Sequence, residues 1–247
     1  MSYSVQAITK YESKRNPSKV KIDDILININ KGFLGDFDTV SYHEVLENLN
    51  RKIYFDIEKI DKPDLIYEII NELIKFYETK GLTDIKYILT LNESSPHEGY
   101  SYHLIFWNYA CNYLELKESL KEFMHITNNK YNAFIDLRVY SNKRLFKLPY
   151  NYGVKQNTGI DLNSNNYHRI IIPKKDKIEL DSEGKLTKQF IKRILIQDIT
   201  NIPVKRIKIN PSLIDAINKI NYVNISAGDK TVSDDVIDKL NNDINKV

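Results

Sequence analysis

The sequence predicts an α+β fold, because segments with the periodicity of strands and segments with the periodicity of helices occur along the same chain. Residues 51–58 (RKIYFDIE) are rich in aromatic and β-branched residues, as strands are. Residues 65–77 carry apolar side chains at helical spacing, as an amphipathic helix does. The 247 residues are 42% hydrophobic, which is enough to form one substantial core.

The order of the predicted elements indicates a particular type of α+β domain. In chain order they are a strand at 51–58, a helix that begins at Pro63 and runs until Gly81, strands at 85–91 and 101–107, a helix at 114–126 and a strand at 133–140. This β, α, β, β, α, β order is the split βαβ arrangement of ferredoxin-like domains. A helix is also predicted at 41–50, since Ser41 and Glu44 have the spacing of a capping box.

The pattern changes towards the end of the chain. A strand at 168–172 is closed by Pro173, and mainly helical spacing follows. The predicted helices are 187–199, 211–220 and one that Ser233 caps and that runs towards Ile244. We therefore expect a domain over residues 1–175 and a C-terminal helical region over 176–247.

The composition excludes several classes of protein. The single cysteine, Cys111, excludes an internal disulfide and a multi-cysteine zinc site, and favours the cytoplasm or nucleus. The net charge is only +3, so a nucleic-acid surface would require local clusters of Lys and Arg. The sequence has no charged-then-apolar leader and no run of about 18 apolar residues, so we expect a protein that is neither secreted nor bound to a membrane.

Two carboxylates are candidate metal ligands. Asp56 and Glu58 are two residues apart on a predicted strand, so both side chains project from the same face. Two carboxylates about 5 Å apart repel each other by roughly 3 kcal/mol at an effective dielectric constant of about 20. Such a pair favours a hard cation such as Mg²⁺ or Mn²⁺. The alternative is a solvated strand edge, flanked by Lys52 and Lys59.

Three further residues repeat this geometry or extend it. Ser101 and His103 share a face of another predicted strand. A single strand histidine is more often structural than functional, but its pairing with a serine on the same face favours a site. Asp136 lies among apolar residues in FIDLRVY, where a carboxylate is unexpected and could complete a three-carboxylate metal site.

A basic segment follows Asp136. Arg144, Lys147 and Lys155 lie within twenty residues of it. Positive side chains in this segment could bind a triphosphate or a nucleic-acid backbone. For each of them alone, a solvated basic loop is the simpler interpretation.

These motifs together resemble a known family. FDIE, then SYH, then IDLRVYSNKRLFKLP are similar to the three signature motifs of the archaeo-eukaryotic primase superfamily, in particular of primase-polymerases and large DNA virus primases. The resemblance spans residues 40–175. It implies the catalytic fold of that superfamily, with an RRM/ferredoxin-like mixed-sheet core, followed here by the C-terminal helical region.

The resemblance also implies an activity and a set of site residues. Asp56, Glu58 and Asp136 would be catalytic ligands of two Mg²⁺ or Mn²⁺ ions in a DNA primase or primase-polymerase. The nucleotide-binding residues would be Ser101, His103, Arg144, Lys147, Lys155 and Arg169. The implied partners are a single-stranded DNA template, nucleoside triphosphates and a replicative helicase, at a site of viral or mobile-element replication.

The sequence departs from the family and leaves two other functions open. Relatives often carry a lysine where this chain has Gly99, and neither a zinc module nor a Walker A motif is present. A 3′–5′ exonuclease would explain Asp56 and Glu58 by the same two-metal chemistry. A non-catalytic subunit that binds single-stranded nucleic acid would use the basic clusters at 174–177, 192–193 or 205–208.

Overall fold

The computed structural model confirms the α+β class. It describes residues 1–9, 17–37, 40–93, 99–152, 154–155, 159–160, 166–171 and 178–215. The strands are β1 Ser2–Thr9, β2 Ser18–Lys21, β3 Val40–Leu46, β4 Asn50–Ile60, β5 Tyr87–Asn92, β6 Tyr100–Asn112, β7 Arg144–Lys147, β8 Val154–Lys155, β9 Gly159–Ile160 and β10 Arg169–Ile171. The α-helices are α1 Ile22–Phe33, α2 Leu65–Thr79, α3 Tyr113–Ile126 and α4 Lys188–Ile194.

The strands form two four-stranded sheets and a short ribbon. The central sheet has the order β10-β5-β6-β4, the second sheet has the order β2-β1-β3-β7, and β8 pairs with β9. Every pair of named strands in the described ranges is antiparallel. The expectation of a mixed sheet is therefore wrong for this part of the chain.

Helices α2 and α3 pack on one face of the central sheet. Side chains alternate between the two faces of a strand, and Phe55 of β4 and Phe106 of β6 project to the helix side, with their rings 5.1 Å apart. Tyr77 of α2 contacts both rings. Phe76 of α2 contacts Phe123 of α3 at 5.5 Å. The polar residues that alternate with these aromatic positions consequently face away from the helices.

Most of the elements predicted over residues 1–175 are confirmed, namely β4, α2, β5, β6, α3 and β10. The predicted strand at 133–140 is wrong. It is reduced to one bridge between Ile57 and Ile135, followed by a 3₁₀ turn at Leu137–Val139. The side chain of Asp136 accepts the backbone N–H two residues later, which favours a turn over an extended strand.

The predicted helix at 41–50 is also wrong, because these residues form β3 and the start of β4. The two residues of the apparent capping box bind partners far away in the sequence. The Ser41 hydroxyl donates to the carbonyl oxygen of Tyr152 at 2.8 Å. The Glu44 carboxylate accepts the backbone N–H groups of Ile196 and Gln197, both at 2.8 Å. Tertiary hydrogen bonds have therefore replaced the local ones that a helix would need.

The described part of the C-terminal region packs against the sheets. Helix α4 confirms part of the predicted helix 187–199, and the Thr187 hydroxyl caps it. Ile191 and Ile196 are fully buried in the same apolar cluster as the central sheet. Only the start of the helix predicted at 211–220 is described, and the helix predicted after Ser233 lies outside the described residues. Among the described residues, no helix has the length and apolar character needed to cross a bilayer.

Candidate active site

A polar layer lies between the two sheets. Phe146 of β7 packs over His103 at 4.1 Å and over Tyr54 at 5.3 Å, so the second sheet covers the face of the central sheet opposite the helices. The buried polar residues on this face are Thr90, Asn92, Ser101, His103 and His168, none more than 7% exposed. Buried polar side chains in such number are unusual for a core and favour a binding site. This polar layer between the sheets is called the cleft below.

Three carboxylates converge at one end of this cleft. Asp56 and Glu58 share a face of β4, as their spacing predicted. Backbone hydrogen bonds bring in the third: Asp136 N–H donates to the Asp56 carbonyl at 2.9 Å, and Glu58 N–H donates to the Phe134 carbonyl at 2.8 Å. One carboxylate oxygen from each residue lies within 4.8 Å of the others. Asp56, Glu58 and Asp136, here called the acidic triad, could therefore hold a metal ion.

A bulge in β4 lies at the acidic triad. The register of β4 against β6 shifts between Ile57 and Ile60, and Lys59 has a φ of 61°. Gly99 lies against this bulge with a φ of 87°, and a Cβ atom at Gly99 would be 2.8 Å from the carbonyl oxygen of Ile60. A lysine at this position would be strained and would collide with the backbone. The bulge thus explains why residue 99 is glycine.

The electrostatics of the triad suit a hard cation. Burial, and then the charges of Glu58 and Asp136, raise the pKa of Asp56 to about 7. Burial also acts to raise the pKa of Asp136, but hydrogen bonds from the Arg138 side chain and backbone hold that pKa below its usual value. The Arg138 guanidinium donates to both oxygens of Asp136, at 2.8 and 3.1 Å. Oxygen donors with excess negative charge are the ligands that Mg²⁺ and Mn²⁺ prefer.

Metal binding is expected to stabilise the protein measurably. At a Mn²⁺ concentration of about 100 times its dissociation constant, the free energy of unfolding should rise by about 2.7 kcal/mol. Glu58→Gln should abolish most of this gain, because it removes one charged ligand at almost constant volume. Thermal unfolding with and without Mn²⁺ measures the effect, and Asp61→Asn, at an exposed position just after β4, is the matched control. Equal Mn²⁺ stabilisation of wild type and Glu58→Gln would contradict the assignment.

The raised pKa of Asp56 predicts a pH dependence of stability in EDTA. Because folding raises this pKa from 3.8 to about 7, the stabilising contribution is complete below about pH 4 and is lost as the pH rises through about 7. Urea unfolding of wild type and Asp56→Asn at about pH 6 and about pH 8 should show the stability of the wild type relative to the variant falling at the higher pH, because the other titrating groups are common to both proteins. An equal pH dependence of stability in the two proteins would refute the prediction.

Ser101 and His103 lie beside the triad, as the sequence predicted. His103 is directly opposite Asp56 in the register of β4 and β6, and its Nε2 is 3.8 Å from Asp56 Oδ1. Burial, and then the nearby charges of Lys147 and His43, hold the pKa of His103 well below its usual value. The imidazole is therefore neutral at pH 7. Ser101 lies two residues before His103 on β6 and is also buried.

Lys147 reaches the same cleft, and Arg144 lies at its edge. The Lys147 ammonium donates to Asn166 Oδ1 at 3.0 Å. Burial lowers the pKa of Lys147 to about 8, against the charge of Asp56, which raises it. Arg144 is exposed at the start of β7, and its charge lowers the pKa of Asp56. Both residues are thus close enough to the triad to act on it electrostatically.

The last two predicted nucleotide-binding residues are further from this arrangement. Arg169, on edge strand β10, forms an exposed ion pair with Glu93. No described contact joins Arg169 to the acidic triad. The backbone of Lys155 lies in β8, paired with Gly159, and its side chain is outside the described part of the chain. The role of these two residues stays a prediction from the resemblance.

The sequence did not indicate two histidines of the cleft. His43 is buried opposite Lys147 in the register of β3 and β7, in a segment that was predicted to be helical. His168 stacks on His103 with ring centroids 3.7 Å apart. The sequence placed it only as the first residue of a strand. Strand pairing brings both into the cleft, and no local pattern could have identified them.

Comparisons with known proteins do not assign this chain. No protein-family model matches the sequence, and no curated protein matches it. The function is therefore inferred from the geometry of the cleft and from the motifs in the sequence.

Proposed function

We propose that this chain is the catalytic domain of a DNA primase or primase-polymerase, which transfers nucleotides from NTPs or dNTPs under the direction of a template. The observation that carries the proposal is that the acidic triad, His103 and Lys147 lie together in one cleft. Three carboxylates alone suit any two-metal enzyme acting on nucleic acid. Groups suited to a polyphosphate directly beside them favour transfer from a nucleoside triphosphate.

The acidic triad would hold Mg²⁺ or Mn²⁺. When bound, the ions would activate the attacking 3′ hydroxyl and neutralise the negative charge of the leaving pyrophosphate. The chain contributes a rigid arrangement of the three ligands. The hydrogen bonds of Asp136 to the Asp56 backbone and of Glu58 to the Phe134 backbone hold the two segments in register, so little reorganisation is needed when a cation binds.

Ser101, His103 and Lys147 would bind the triphosphate. A neutral imidazole and a hydroxyl both donate hydrogen bonds to phosphate oxygens. The Lys147 ammonium adds a positive charge, and a phosphate nearby would raise its lowered pKa and keep it protonated. Arg144, exposed at the edge of the cleft, provides a second positive charge that a phosphate can reach from solvent.

The remaining basic residues would extend the surface towards nucleic acid. Arg169 would release its exposed ion pair with Glu93 and bind a phosphate instead. Breaking this ion pair would cost little free energy, because exposed ion pairs contribute little to stability. Lys155 is assigned to the same surface from the resemblance alone. The partners in this proposal are a single-stranded DNA template, nucleoside triphosphates and a replicative helicase. The setting is viral or mobile-element replication in the cytoplasm or nucleus.

A synthesis assay tests the proposal. Purified protein is incubated with Mn²⁺ or Mg²⁺, single-stranded DNA and labelled NTPs or dNTPs, with and without an annealed primer. We expect short labelled products that require both the metal and the template. Omitting the primer separates initiation from extension, and the two nucleotide pools separate ribonucleotide from deoxyribonucleotide preference.

Two companion measurements, degradation of end-labelled DNA and salt-dependent DNA binding, distinguish the two other functions. A 3′–5′ exonuclease would use the acidic triad to shorten end-labelled DNA and would make no product. A non-catalytic subunit would bind single-stranded DNA with a steep dependence on salt and would show neither activity with either metal. Either outcome would replace the proposed function.

A further inference from the structure

The segment just before β10 contacts two of the residues that we assign to the triphosphate. Within residues 166–168, the His168 ring stacks on the His103 ring at 3.7 Å, with an angle of 18° between the ring planes. Asn166 Oδ1 accepts a hydrogen bond from the Lys147 ammonium at 3.0 Å. Residues 166–168 thus contact both the neutral imidazole of His103 and the positively charged ammonium of Lys147.

The His103 ring is held from both sides. Phe146 packs against it at 4.1 Å, at an angle of 35°. Two rings this close to a third would overlap if they lay on the same face, so His168 and Phe146 lie on opposite faces of the imidazole. The ring cannot rotate without displacing one of them, and its Nε2 stays directed towards Asp56, 3.8 Å from Oδ1.

Strand β5 anchors the segment at both residues. The Thr90 hydroxyl lies 3.1 Å from His168 Nδ1, and Asn92 Nδ2 donates to Asn166 Oδ1 at 2.7 Å. The His168 carbonyl also accepts the backbone N–H of Tyr150 at 2.7 Å. His168 is only 2% exposed. These contacts leave its ring little freedom, as a support for another side chain requires.

We infer that His168 and Asn166 are positioning residues, which hold His103 and Lys147 in the orientation that receives the triphosphate. The inference rests on the proposed function, which assigns His103 and Lys147 to the binding of the triphosphate. Neither positioning residue touches the substrate. Their loss therefore weakens the binding of the triphosphate and affects the chemical step less.

The kinetic test compares His168→Ala with His168→Phe. Alanine removes the stacked ring and should raise KM for the nucleotide by about tenfold, with kcat changed by less than about threefold. Phenylalanine keeps an aromatic ring and should restore most of the loss. Thr90→Val removes the anchoring hydroxyl at similar volume and should raise KM by about threefold. His125→Ala, in the last turn of α3, is the matched control.

A binding measurement separates this inference from the proposed function. Inorganic tripolyphosphate with Mg²⁺ is titrated into the protein while NMR records the side-chain signals of His103. The His103 signals of the wild type should shift on titration. His168→Ala should bind tripolyphosphate about tenfold more weakly, and His168→Phe should bind it nearly as tightly as the wild type. If the wild type responds but synthesises nothing, the proposed function fails and the positioning role stands.

Three results would overturn the positioning role. One is no response of His103 in the wild type. Another is unchanged tripolyphosphate affinity in both His168→Ala and Thr90→Val. The third is a loss of kcat without any change in KM or affinity in folded His168→Ala, which would indicate a different role for the ring.

Discussion

Replacing Asp56 with asparagine is expected to lower the rate of nucleotide incorporation roughly a thousandfold or more. Burial and the charges of Glu58 and Asp136 act on the Asp56 carboxylate, which lies directly opposite His103. Asparagine keeps the volume and one oxygen but removes the negative charge that holds a cation. The backbone carbonyl that accepts the Asp136 N–H is unchanged, so the local fold should persist.

The affinity for single-stranded DNA should remain within about twofold in Asp56→Asn, because the template is bound mainly through its phosphates by basic residues. Asp61→Asn, an exposed carboxylate one residue beyond the end of β4, should retain wild-type synthesis. Gel-based extension and fluorescence anisotropy measure the two quantities. Full synthesis by Asp56→Asn would exclude the acidic triad as the catalytic centre.

Among the substitutions described, Glu44→Ala is expected to cause the largest loss in the free energy of unfolding. The Glu44 carboxylate is fully buried and accepts the backbone N–H groups of Ile196 and Gln197, both at 2.8 Å. Alanine would leave two buried N–H groups without acceptors and would remove the negative charge near the buried Lys52 ammonium. We expect a loss of about 4 kcal/mol in the free energy of unfolding. For a chain of this length, the melting temperature should fall by roughly 10 °C.

The matched control for this change is Glu47→Ala. Glu47 is exposed, and its contacts are with Ser4 and with Lys19 on β2. Its replacement should cost less than about 1 kcal/mol. Urea unfolding in EDTA measures both variants without any contribution from a metal. A loss below about 1 kcal/mol in Glu44→Ala would show that the C-terminal region is not held to β3 as the structure indicates.

The elements that could be predicted from the sequence are those whose side-chain pattern decides the structure. Helix α2 has an apolar face repeated over four turns, and β4 and β6 combine branched and aromatic residues with alternation. Strand β3 could not be predicted, because Ser41 and Glu44 have the spacing of a helix cap yet bind residues about 110 and 150 positions away. No local rule contains those partners.

The residues of the candidate site likewise include some that could be predicted from the sequence and some that could not. Pairs two residues apart on one strand, such as Asp56 with Glu58, follow from the period of a strand. Asp136 was correctly placed with them, but in a turn after a single bridge and not within a strand. His43 and His168 enter the cleft through strand register, which the sequence does not specify without knowing the pairing.

The most direct test of the proposed active site is a crystal structure with Mn²⁺, a non-hydrolysable nucleoside triphosphate and a short template. Anomalous scattering then locates the metal ions independently of the protein atoms. We expect Mn²⁺ at Asp56, Glu58 and Asp136, with the triphosphate against His103 and Lys147. Mn²⁺ bound elsewhere, or a triphosphate bound away from His103 and Lys147, would contradict the account.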